Sequence, residues 1–177
     1  MQLLRQALVI AMLLPLAACD EEPATITLAD RRSDLVADDL WKLQDARGIP
    51  VEIHGAPFRR VSDADLAGAM KVPAQIQQDI SFYATPTGGA GHAWRIVLHF
   101  NPQGPPNASR DCSFNQETPT NALPDRGFAM HFVICQRDDW KAHAFLEVRD
   151  IEDGDLAAFQ RHIQNVISEI FREEKDR

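Results

Sequence analysis

The chain has no long basic run, no apolar stretch of membrane-spanning length, only three cysteines and a single tyrosine among 177 residues. Each scarcity excludes something. Eighteen Lys and Arg stand against 26 Asp and Glu, a net charge of −8, so the chain gains nothing from phosphate backbones and is repelled by anionic surfaces. Nucleic acid is therefore not an expected partner. The longest apolar segment runs from Ala7 to Cys19, thirteen residues, where a helix crossing hydrocarbon needs about 20. Catalytic signatures are missing as well. There is no Gly-x-Ser-x-Gly, Ser-x-x-Lys, His-Glu-x-x-His or paired Cys-x-x-Cys spacing, so no nucleophile or metal motif announces an enzyme.

What is present begins at the amino terminus. A short basic start carrying Arg5 precedes the apolar core Ala7 to Leu16, and then Leu16-Ala17-Ala18-Cys19. Leu16 is too bulky for an ordinary Ala-x-Ala cleavage site. This stretch resembles the lipobox of bacterial lipoprotein precursors. The resemblance covers about 20 residues and implies removal of residues 1–18, a diacylglyceryl thioether on Cys19, and N-acylation by a palmitate-type chain. Three acyl chains anchor a protein lastingly. Asp20 implies retention on the periplasmic side of the inner membrane, with the outer membrane as the alternative. Residues 19–25 would be a lipidated tether, and 26–177 one periplasmic domain.

Losing Arg5 with the leader takes the net charge from −8 to −9 and leaves 159 residues, enough for one domain with a real core. Cys112 and Cys135 remain as an even pair in a chain read as exported, where disulfides persist. A Cys112–Cys135 bond is expected.

Along the chain, Ser33 to Arg47 reads as a helix with Ser33 as N-cap, Val36, Leu40 and Leu43 on one face, and Gly48 and Pro50 as stop signals. Val51 to His54 follows as a strand. Ser62-x-x-Asp65 opens a short helix through Leu66 and Met70. From Ile80 the apolar period becomes two, giving strands Ile80–Thr85, His92–Phe100, Phe128–Gln136 and Trp140–Val148. The glycines between Thr87 and Gly91 suit a hairpin between the first two. Asn101 to Arg126, with five prolines, reads as a long ordered excursion held by Cys112. Leu156, Phe159, Ile163, Val166, Ile167 and Ile170 mark a final amphipathic helix capped by Asp153 or Asp155. The expected fold is α+β: an antiparallel sheet of four to five strands, N-terminal helices, and the C-terminal helix packed on one face.

Strand alternation divides the sheet's two faces. Trp94, Ile96, Leu98 and Phe100, then Phe128, Met130, Phe132 and Ile134, then Trp140, Ala142, Ala144, Leu146 and Val148 should share the core side. For the last hairpin this requires Ile134 to face Ala142 and Phe132 to face Ala144, which predicts a three-residue loop, Arg137 to Asp139. The other face then carries Arg95, His99, His131, His143 and Glu147. His99, His131, His143 and Glu147 are candidate metal ligands, although exposed polar residues are ordinary on a one-sided sheet. No other cofactor is expected. The function read from these residues is a membrane-anchored periplasmic module, more binding or envelope-accessory than enzyme, whose unidentified partner, an envelope protein or another envelope component, is contacted through the excursion and the exposed sheet face. The alternative is a metal-binding protein or metal-dependent hydrolase using the histidine face.

Overall fold

The computed structural model describes residues 24–32, 34–76, 79–86, 92–113 and 119–172. The lipobox with Cys19, the expected N-cap Ser33 and the glycine segment Thr87 to Gly91 lie outside these residues.

The fold is α+β, built on a six-stranded mixed sheet. Its strands are β1 (Ala24–Arg31), β2 (Ile49–His54), β3 (Phe82–Thr85), β4 (Trp94–Phe100), β5 (Phe128–Gln136) and β6 (Asp139–Val148). They lie in the order β1-β6-β5-β4-β2-β3. The described helices are α1 (Asp63–Ala69), α2 (Ala108–Asp111), α3 (Leu156–Ile170) and a 3₁₀ helix, Ala37–Leu43.

Three features depart from the antiparallel expectation. First, β1 is an edge strand where no strand was read. Its pairing with β6 jumps between Ile26 and Leu28, so Thr27 is an extra residue that turns the chain over. Ala24, Ile26 and Ala29 pack against the core while Leu28 is exposed, and this change of parity hides the strand from a period-two reading. Secondly, β3 and β4 do not form a hairpin. Both pair in parallel with β2, which lies between them, so β3 and β4 run in the same direction and are not neighbours. The connection from β2 to β3 carries α1, the usual form of a parallel crossover. Thirdly, the expected helix before β2 is one 3₁₀ segment, and β1 precedes it. Leu40 and Leu43 do enter the core, while Val36 is exposed.

The turn between β5 and β6 explains why the predicted register holds although the predicted loop does not. Gln136 pairs with Asp139 around a two-residue turn, and Cys135 pairs with Trp140. Arg137 takes φ 54° in that turn. A bulge at Lys141 then restores Ile134 opposite Ala142 and Phe132 opposite Ala144. One extra residue repairs the parity beyond the bulge and inverts it before. Trp140 therefore leaves the core side and packs against the opposite face with Val97, Val133 and the disulfide.

One face of the sheet forms the main core with α1, α3 and the 3₁₀ helix. Asp155 caps α3 through its side chain, which accepts from the Ala158 amide at 2.9 Å. Ala158, Phe159, Ile163, Val166, Ile167 and Ile170 of α3 are buried at its three- and four-residue spacing. Phe58, Phe100, Phe128 and Phe159 meet there with ring centroids 5.5–6.3 Å apart, within the range of favourable aromatic contact. At the start of α1, Ser62 accepts from the Asp65 amide at 3.2 Å and donates its hydroxyl to the Asp65 carboxylate at 2.6 Å. Gly127 enters β5 at φ 74°, where an added Cβ would lie 2.1 Å from the Val148 carbonyl oxygen.

Candidate functional site

The second sheet face was expected to be open. Instead the excursion between β4 and β5 lies over it: Ala108, Asp111 and Cys112 are buried against Val97, Val133 and Cys135. Asn107 begins α2 by accepting from the Arg110 amide at 3.0 Å, which turns the chain so that Asp111 and Cys112 follow on the sheet side. The Cys112–Cys135 bond is present, with an S–S distance of 2.02 Å and Cα atoms 5.6 Å apart.

Beneath this cover the candidate histidines meet. Pairing of β4 with β5 sets His99 opposite His131, and pairing of β5 with β6 sets Val133 opposite His143. His99 and His131 are both 0% exposed. Asp111 accepts from both: His99 Nδ1 lies 3.1 Å from Oδ1, and His131 Nδ1 lies 2.5 Å from Oδ2. Since a carboxylate only accepts, both Nδ1 atoms carry protons. His131 Nε2 then accepts from His143 Nδ1 at 3.1 Å. His99 Nε2 faces the Pro119 carbonyl oxygen at 3.2 Å, and that contact is a hydrogen bond only when this nitrogen too is protonated. The hydrogen-bond pattern thus places the Asp111 carboxylate, shared by two imidazole N–H donors, at the centre of the face.

The electrostatics agree with this arrangement. Burial would raise the Asp111 carboxyl, but the hydrogen bonds and charges of His131 and His99 outweigh it and hold the group well below the usual carboxylate range. His143, half-buried, is pushed down by desolvation and by the neighbouring His131. Its ring stands edge-on to Trp140 with centroids 4.9 Å apart.

A second buried charge cluster joins the first along the sheet. Arg95 is 1% exposed; its Nε donates to Glu52 at 2.9 Å, and its two terminal nitrogens donate to the carbonyls of Arg137 (2.8 Å) and Cys112 (2.7 Å). Glu52 also meets His54 Nε2 at 2.8 Å. Arg95 therefore ties together the excursion, the β5–β6 turn and β2.

The structure thus unites His99, His131 and His143 and leaves Glu147 apart. Glu147 sits opposite Ala129 and Thr25, lining a shallow cleft with Asn101, Arg126 and Arg149. The histidine nitrogens point at Asp111 and at one another rather than at a shared point. Among the described residues no group of three His, Cys, Asp or Glu is arranged to hold a metal ion.

Asp111, Arg95, Glu52 and His54 were missed as partners by sequence reasoning. The available signal was a lone Glu in the apolar β2 and a lone Arg in the apolar β4, opposite charges on strands that prove adjacent. Asp111 was marked only by standing beside a cysteine.

Fold and site together define a disulfide-pinned α+β domain with a buried polar layer beneath its long excursion. Comparison with protein-family models, with curated proteins and with solved structures finds no match to this chain.

Proposed function

We propose that this chain is a lipid-anchored periplasmic module of the cell envelope, non-catalytic, that offers a rigid surface to an envelope protein. The observation that carries this reading is the use made of its reactive side chains. His99, His131, Asp111 and Arg95 are all buried beneath the excursion and hydrogen-bonded to it or to each other. Such groups hold a surface in place rather than meet a substrate.

The outward side of the pinned excursion exposes Gln103, Gly104, Pro105, Asn107 and Ser109, a polar platform held by one disulfide and two charge clusters. A rigid platform loses little entropy on binding. Trp41, 58% exposed, is a further anchor of the kind that dominates protein interfaces. The lipobox resemblance at Leu16 to Cys19 supports the tethered location, and a buried disulfide suits an oxidising compartment.

Crosslinking of the full chain in intact cells, followed by identification of captured proteins, tests the reading. The expected result is an envelope protein whose crosslinks map to the excursion and are lost on surface substitutions there. Capture restricted to lipid-processing and transport machinery, with tight zinc binding by the purified protein, would favour the metal-dependent alternative.

A further inference from the structure

The pairing of β1 with β6 decides which end of the domain lies nearest Cys19. Ala24 pairs with Val148 and Thr25 with Glu147, while Phe128 and Ala129 pair with the same two residues from the other side. The chain therefore enters the sheet beside Glu147, Val148 and Arg149. Five residue steps separate Cys19 from Ala24, a reach of at most about 17 Å.

At that end lies an open cleft of about 370 Å³ whose polar lining is Asn101, Arg126, Glu147 and Arg149. Arg126 is ion-paired with the half-exposed Asp150. The side chains of Glu147 and Arg149 make no hydrogen bond or ion pair with another described residue. Two guanidinium groups and one carboxylate in a single shallow cleft complement a ligand that carries an anion and a cation close together. A bilayer surface offers such a ligand within the tether's reach.

We propose that this cleft docks the domain on zwitterionic phospholipid headgroups, Arg126 and Arg149 holding the phosphate and Glu147 the primary ammonium. The inference rests on the lipid-anchor reading above and extends it from tethering to orientation. It also explains how so acidic a chain can lie against a membrane: a headgroup with no net charge is not repelled, and the cleft accepts both of its poles. The β5–β6 turn, at the other end of the sheet, then points away from the bilayer.

The test uses the full chain expressed in its membrane-processed form. The mass of the Cys19 peptide is measured first. Arginine labelling by a dicarbonyl reagent is then followed by peptide mass spectrometry in phosphatidylethanolamine/phosphatidylcholine vesicles, in phosphatidylglycerol/phosphatidylcholine vesicles and in dodecyl maltoside micelles. Arg126 and Arg149 should label several-fold more slowly in the phosphatidylethanolamine vesicles than in micelles, with Arg137 unchanged. Protection should weaken in phosphatidylglycerol, and E147Q should abolish that difference. A lipidated Cys19 with equal labelling of Arg126 and Arg149 in vesicles and micelles would overturn the docking alone. Equal protection by both lipids in the unsubstituted protein would overturn the role of Glu147. An unmodified Cys19 would overturn the anchor and the docking with it.

Discussion

Replacing Asp111 by alanine tests whether the buried polar layer holds the excursion down. The carboxylate is 2% exposed and accepts from two imidazoles that are themselves fully buried. Its removal leaves two buried Nδ1–H donors without an acceptor. Stranding two buried donors in this way costs about 2–6 kcal/mol, at about 1–3 for each unsatisfied group. Asp111→Asn keeps one acceptor and the shape, and lets His131 exchange tautomers with His143, so a smaller loss of about 1–3 kcal/mol is expected.

Urea unfolding of the oxidised protein measures both variants, and amide exchange across α2 should accelerate well before global unfolding. The pH dependence gives an independent check of sign. Because the native Asp111 carboxyl is held below its ordinary value, its contribution is fully present above about pH 5 and is lost as pH falls through and below about 4. His143, depressed by burial, acts in the same sense at higher pH: the unfolded chain takes up its proton first, so stability declines as pH drops below about 6.5. In Asp111→Asn the acid slope should flatten. An Asp111→Ala variant that loses under about 1 kcal/mol and retains the full acid slope would refute the argument.

Other outcomes follow from single features. Substituting both Cys112 and Cys135 by alanine opens a loop with a sequence separation of 23 and should cost roughly 3 kcal/mol in urea unfolding; two titratable thiols in the unfolded, unreduced protein would remove the bond itself. Gly127→Ala should cost about 2 kcal/mol or more, because the backbone there is left-handed and a Cβ would strike the Val148 carbonyl; a neutral effect on the thermal midpoint would contradict that geometry. Phe159→Ala, at the centre of the phenylalanine cluster, should lose about 3–5 kcal/mol by calorimetry or urea unfolding. His143→Gln should reduce the loss of stability between about pH 7 and 5, and an unchanged profile there would mean that His143 is as accessible folded as unfolded.

The residues of β5 and α3 were legible because their apolar periods run unbroken and each buries one continuous face. The core sets of β4, β5 and the later part of β6 could be read for the same reason. Where an extra residue interrupts alternation, at Thr27 or Lys141, parity ceases to be informative, and β1 and the placement of Trp140 were lost. Parallel pairing left no local trace either. The residues of β2 and β3 look the same whether their neighbours run with or against them, and the glycines between β3 and β4 resemble a hairpin that the strand order forbids.

The candidate site divides along the same line. Alternation alone placed His99, His131 and His143 on one face, since side chains two apart on a strand must point the same way, and the even cysteine count supplied the disulfide. What covers that face, and therefore whether its histidines meet solvent or a buried carboxylate, depends on where a proline-rich excursion comes to rest. That is set by contacts between residues far apart in the chain, such as Arg95 with the Cys112 carbonyl and Asp111 with both imidazoles. Local sequence determined which side chains share a face; only tertiary packing decided that this face is closed, because burial belongs to the neighbours a residue acquires and not to the residue itself.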